Sequence, residues 1–146
     1  MKKLSQEALK KLKEKLATKN LACIVVKPNG AEIEVAGAGI APTINLLEQG
    51  EFDGAIVLDK IIGRAVAMLM TLGHVCYVHG VVMSQSAVDW LTQKGVPFSY
   101  DTVVQYIINR TGAGLCPMEE TVKDIRDEES ALEALKRKVE ELRANK

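Results

Sequence analysis

"GAIVLDKIIGRAVAMLMTLGHVCYVHGVVMS", residues 54–84, is the stretch on which the fold turns. Its first six residues, "GAIVLD", form a continuous apolar run, the pattern of a strand buried on both faces. The run passes directly into "KIIGRAVAMLMTLG", predicted as a helix over residues 60–73 that is apolar on nearly every side and stops at Gly73. A helix of that kind is held between other layers. "HVCYVHGVVM", residues 74–83, reads as a second buried strand.

Working outward toward the C-terminus, "SQSAVDWLTQKG" is predicted as a helix with Ser84 as N-cap and Gly95 as its stop. "VPFSYD" reads as a short strand, "TVVQYIINRTG" as a helix capped by Asp101, and "CPMEETVKDI" as another helix. Trp90 and Tyr106 fall at apolar helical positions and are expected in the core. In the tail, residues 127–146, Leu132, Leu135, Val139 and Leu142 make one narrow apolar stripe. Such a stripe suits a helix docked on its own domain or a dimerisation helix.

Toward the N-terminus, residues 4–18 carry Leu4, Ala8, Leu9, Leu12 and Leu16 at helical spacing. Two β-branched runs flank "PNG" in "LACIVVKPNGAEIEVAG", a hairpin signal because Asn and Gly both tolerate positive φ. A turn, "GAGIAPT", and a short helix near "INLLEQG" follow, the latter closed by Gly50. A hairpin followed by alternating strands and helices predicts an α/β fold. Its three layers are one sheet with helices on both faces, α-β-α. Residues 1–126 are expected to form one domain, followed by the amphipathic helix of 127–146.

The chain has 146 residues, 47% hydrophobic and 26% charged, with zero formal net charge. These values fit one soluble domain and argue against a surface that binds nucleic acid, which needs excess clustered Lys and Arg. No run approaches the roughly 20 apolar residues that span a bilayer, and no secretory signal is expected at the N-terminus. Three widely spaced cysteines without a CxxC fit free thiols in a reducing cytoplasm.

Several short motifs occur in a fixed order: "GAGIAP" at 37–42, Asp59-Lys60 with Gly63-Arg64-Ala65, Ser84 through Leu91, Tyr100, "IINR" at 107–110 and "CPME" at 116–119. The combination, over roughly residues 20–125, resembles the DUF1893 family of prokaryotic proteins. That resemblance implies a cytidine-deaminase-like mixed sheet and brings no assigned activity. Zinc deaminases hold their metal with a His or Cys beside a catalytic Glu at one helix start and PCxxC at the next. Here the first helix opens with "DKIIGRAVA" and the second with "MSQSAVDW", where neutral serine hydroxyls are poor zinc ligands. His74 and His79, an odd number apart on a strand, point to opposite faces. The sequence thus argues against zinc-dependent deamination, and no metal or other cofactor is expected.

What remains is a set of candidate ligand contacts. Asp59 and Lys60 end the first buried strand, the sheet edge where α/β proteins gather ligands; Asp59 also suits an N-cap or a base. Arg64 lies four residues on, on the same predicted helix face as Lys60. With Ser84 at a helix N-terminus these residues could form a small anion pocket for a phosphorylated or nucleoside-like metabolite. Gly37 and Gly39 offer backbone freedom or a ligand loop. Arg110 suits an ion pair with Glu119 or an anion. Cys116, with Pro117 behind it and Glu119 three residues on, reads as a helix start with a capping box. It also reads as a thiol activated by a helix N-terminus, with Asp59 or His79 as base. The expectations are a zinc-free ligand-binding domain, a metal-free enzyme or redox sensor built on Cys116, or an oligomeric interaction protein, with a homodimer among the partners.

Overall fold

The computed structural model describes residues 5–37, 39–108 and 116–144. Helix α1 (Gln6–Thr18) precedes a hairpin of β1 (Cys23–Val26) and β2 (Glu32–Val35). There follow α2 (Ala41–Glu48), β3 (Ile56–Ile62), α3 (Arg64–Leu72), β4 (Tyr77–Ser84), α4 (Gln85–Lys94), β5 (Phe98–Val104), α5 (Pro117–Val122) and α6 (Glu128–Ala144). The five strands form one sheet in the order β2-β1-β3-β4-β5. β1 runs antiparallel to both neighbours, whereas β3, β4 and β5 are parallel.

The two sheet faces bury different clusters. On one, Leu12 and Leu16 of α1 meet Ile24, Ile56 and Leu58. On the other, Val25, Val57 and Val78 meet Met68 and Leu69 of α3, Trp90 and Leu91 of α4, and Ala131 and Leu135 of α6. The alternation of Leu58 and Val57 between clusters follows from the two-residue period of a strand. α3 touches α2, α4, α5 and α6, so its all-round apolar surface is consumed by the packing the sequence calls for. The α6 stripe docks on its own chain, with Ala131 and Leu135 fully buried.

Local chemistry sets most boundaries. The Ser5 hydroxyl accepts from Ala8 N and opens α1; Ser84 does the same for α4 from Ala87 N, each at 3.1 Å. Gly95 stops α4 in the left-handed region at φ 71°. At the hairpin, Asn29 Oδ1 accepts from Ala31 N and Gly30 adopts φ 91°.

Three boundaries depart from the sequence pattern. β3 does not end at Asp59. Lys60, Ile61 and Ile62 continue it, with Ile61 and Ile62 registered against Val82 and Met83, and α3 begins only after Gly63. Asp59 is therefore not a helix cap. Residues 102–104, expected in a helix, complete β5 through pairing of Thr102, Val103 and Val104 with β4. The expected Asp101 cap and the core position of Tyr106 fall with that helix, and Tyr106 is exposed. In both cases a strand already in place offers β-branched residues a ladder, and tertiary pairing overrides helical periodicity. β4, in turn, starts at Tyr77, so His74 lies in the preceding turn at φ 68° rather than on the strand.

Candidate ligand cavity

A cavity of about 500 Å³ opens between the β1–β3 side of the sheet, the start of α2, the start of α3 and the start of α5. Asp59, Lys60, Cys116, Glu119, Gly37 and Gly39 all line it. Residues far apart in sequence thus meet because β3 delivers Asp59 and Lys60, the loop after β2 delivers the two glycines, and α5 delivers Cys116 and Glu119. Most of the remaining wall is apolar, from Ile40, Pro42, Leu46, Val66 and Met118.

Asp59 stands directly across the β1–β3 ladder from Cys23, which also lines the cavity. One carboxylate oxygen accepts from Ile61 N at 3.2 Å. Burial pushes the Asp59 pKa up to about 7, against the opposing pull of the Ile61 and Lys60 amides. Burial, helped by the Asp59 charge, pushes the Cys23 thiol well above its ordinary range. Cys23 is thus a buried, protonated neighbour of Asp59, and its position on the wall carries no sequence signal beyond a cysteine in a buried strand. Lys60 sends its ammonium to Asn20 Oδ1 at 2.7 Å.

Glu119 has an unforeseen partner. Its carboxylate accepts from Arg64 N and Ala65 N, each at 2.8 Å. It therefore caps α3, which has no side-chain cap of its own at Gly63. Those first amides are otherwise unpaired donors at the positive end of the helix dipole. A Cβ at Gly63 would collide with this carboxylate. The capping box with Cys116 is accordingly not formed. Cys116 N donates instead to Ile107 O, and no side-chain cap bond forms at Cys116. Burial raises the Glu119 pKa, while the two amides and the Arg64 charge pull it down. The sequence signal, in retrospect, was a helix start at Gly63-Arg64 with no Ser, Thr, Asp or Asn before it.

Two expected contacts lie elsewhere. Arg64 is on α3 while Lys60 is on β3, so they do not share a helix face. The Arg64 guanidinium donates to Ile125 O and, at 3.3 Å, to Val122 O, closing the end of α5, and lies 4.9 Å from the Trp90 ring centroid. Ser84 is buried under its own helix cap. Neither lines the cavity, and the anion pocket of Lys60, Arg64 and Ser84 does not assemble. Arg110 lies outside the described residues.

His79 is not a partner for Cys116. It belongs to the α1 face of the sheet, beside Ser99 and Asp101 of β5. Tyr77 donates to Ser99 Oγ at 2.6 Å, and Ser99 Oγ is 2.6 Å from His79 Nδ1. The Ser99 proton therefore goes to Nδ1, which leaves the ring proton on Nε2, 3.4 Å from Asp101 Oδ1. That Nε2 makes no hydrogen bond, and Asp101 itself pairs with Lys13 of α1 at 2.8 Å. Among the described residues no cluster of three or more His, Cys, Asp or Glu side chains is arranged to hold a metal ion. Nor is any described helix long and apolar enough to cross a membrane.

These features define a small α/β domain with one mixed sheet and a half-open cavity on its helix-rich face. A family profile described as a domain of unknown function, DUF1893 (TM1506), matches residues 11–139. The chain belongs to this family. It is also similar to the crystal structure of a DUF1893 family protein, TM1506, from Thermotoga maritima. The two share 24% identity over 93% of this chain and 92% of that one, with a TM-score of 0.83. Comparison with curated proteins yields no match.

Proposed function

We infer that the domain binds a small, nucleoside-like metabolite in the cavity beside Asp59, on a zinc-free, cytidine-deaminase-like scaffold. The observation that carries this reading is the cavity itself. Its volume of about 500 Å³ falls in the range of small-molecule sites, about 300–1,000 Å³, which combine apolar walls with a few fixed polar groups. Asp59 is the polar anchor, able near neutrality both to accept and to donate a hydrogen bond. Lys60 is the cation on the wall for a phosphorylated ligand. The scaffold reading draws support from the sheet order and from helices α3 and α4 following parallel strands β3 and β4. At the helix starts where a deaminase would place its metal ligands, this chain has Gly63-Arg64 and Ser84, with Glu119 seated on the α3 amides.

A thermal-shift screen with nucleosides, nucleotides and sugar phosphates tests it. A binder stabilises the fold by RT ln(1 + [L]/Kd), and Asp59→Asn should reduce the shift. A flat response across the whole set would defeat the reading. That Cys116 and Asp59 both line this cavity supports a second reading, a thiol enzyme acting on the same class of ligand.

A further inference from the structure

The two edges of the sheet are built differently. β2, four residues long, carries alternating Glu32 and Glu34, and α1 clamps both. Lys15 lies 2.8 Å from Glu34, Lys19 lies 3.1 Å from Glu34, and Lys15 also pairs with Glu32. Short length and dense charge are the ordinary protections of an exposed edge. β5 has neither. It is seven residues long, and its outer edge has no strand partner among the described residues. Between Phe98 and Ile108 the sequence holds a single charged residue, Asp101, and no proline. That charge is already paired with Lys13 on the α1 face. Two exposed apolar side chains lie on the strand, Tyr100 (44%) and Val103 (40%).

We propose that the outer edge of β5 pairs antiparallel with β5 of a second copy of this chain, joining two five-stranded sheets across a two-fold axis at Thr102. The strand's own charge pattern selects the register. Centring the pairing on Asp101 would set two carboxylates opposite each other, which is destabilising. Centring it on Thr102 sets Asp101 opposite Val103 of the partner subunit and Tyr100 opposite Val104 of the partner subunit. The latter is an aromatic–β-branched pair of the kind that stabilises antiparallel ladders. An isologous two-fold contact is closed, so it ends at the dimer.

The test is the mass of the full chain in solution, by sedimentation velocity across a concentration series. Thr102 is exposed, so Thr102→Lys and Thr102→Glu leave the core intact, which circular dichroism confirms before the run. Wild type is expected to sediment at twice the chain mass and each variant at the chain mass. An equimolar mixture of the two variants should return to twice the mass, because lysine then faces glutamate at the axis. A wild-type chain that stays monomeric throughout overturns the proposal and leaves the edge for a strand of another protein. Variants that dimerise as well as wild type also overturn it, by moving the contact to another face. Monomeric variants whose mixture fails to dimerise reject the Thr102 axis.

Discussion

Asp59 is the residue whose protonation state matters most. Its pKa of about 7 lies above the ordinary carboxyl value near 4. The folded protein therefore holds this proton where the unfolded chain releases it. Stability from this group is fully present below about pH 4 and is lost as pH rises toward 7. Asn keeps an oxygen to accept from Ile61 N but carries no charge. Asp59→Asn should thus gain stability over wild type between pH 4 and 7. The gain should be about 2 kcal/mol, roughly half of what the full shift would give, because Asp59 keeps some solvent contact. Urea unfolding of both proteins across that pH range reads the difference directly. The cysteines divide on the same principle. Cys23 is buried beside a carboxylate, and Cys116 is only half-buried at the cavity wall. Iodoacetamide should label Cys116 well before Cys23 at neutral pH, measured by peptide mass spectrometry. Equal rates would remove Cys116 from the thiol-enzyme reading. Asp59, Lys60, Cys116, Glu119, Gly37 and Gly39 could all be picked from sequence as candidate contacts, because polar residues and glycines stand out beside apolar runs. Their mutual arrangement could not. Whether Arg64 turned to the cavity or to the end of α5 depended on where β3 stopped, and Ile61 and Ile62 suit helix and strand alike.

At the scale of elements, the α3–α5 junction is the piece that sequence conceals. Glu119 lies more than fifty residues from the amides it caps, and no periodicity links the two. The strands and most helices were visible because apolar period and end signals agree within each segment, as at Ser84 and Gly95. The missed helix after Asp101 shows the converse: Thr102, Val103 and Val104 became strand because β4 was beside them. The junction makes a sharp prediction. Glu119→Ala removes the acceptor of one buried and one half-buried donor and should destabilise the fold by about 2 kcal/mol. Gly63→Ala should cost a similar amount through collision with the carboxylate. Combined, the two changes should cost less than their sum, since alanine at 119 relieves that collision. Denaturant titration of the four proteins in this cycle measures the coupling, and strict additivity would separate Gly63 from the cap.

For the molecule as a whole, α6 is part of the core rather than an appendage. Ala131 and Leu135 are fully buried against α3 and α5. Glu128 accepts from Thr71 and pairs with Lys94 at 3.3 Å. Ending the chain at Arg126 should therefore strip the outer layer and lower stability by several kcal/mol, as expected when large apolar side chains lose their cover. A broadened, weakly cooperative thermal transition is the expected result by calorimetry. An unchanged transition would return α6 to the role of a separate interaction helix. The layer count followed from the alternation of elements, whereas the strand order did not, and the clamp on α6 rests on side chains of three helices and has no local signature.

That clamp is centred on the only tryptophan of the chain. Trp90 donates from Nε1 to Thr71 at 2.9 Å, with the Arg64 guanidinium 4.9 Å and the Lys94 ammonium 4.8 Å from its ring centroid. Those neighbours report on two joints: Arg64 on α5, and Thr71 and Lys94 on α6 through Glu128. The protein thus carries an intrinsic fluorophore at the meeting point of its outer helices. Its emission is set by two cations and one hydroxyl, and loosening of either α5 or α6 will register as a change in colour and intensity without any label being attached.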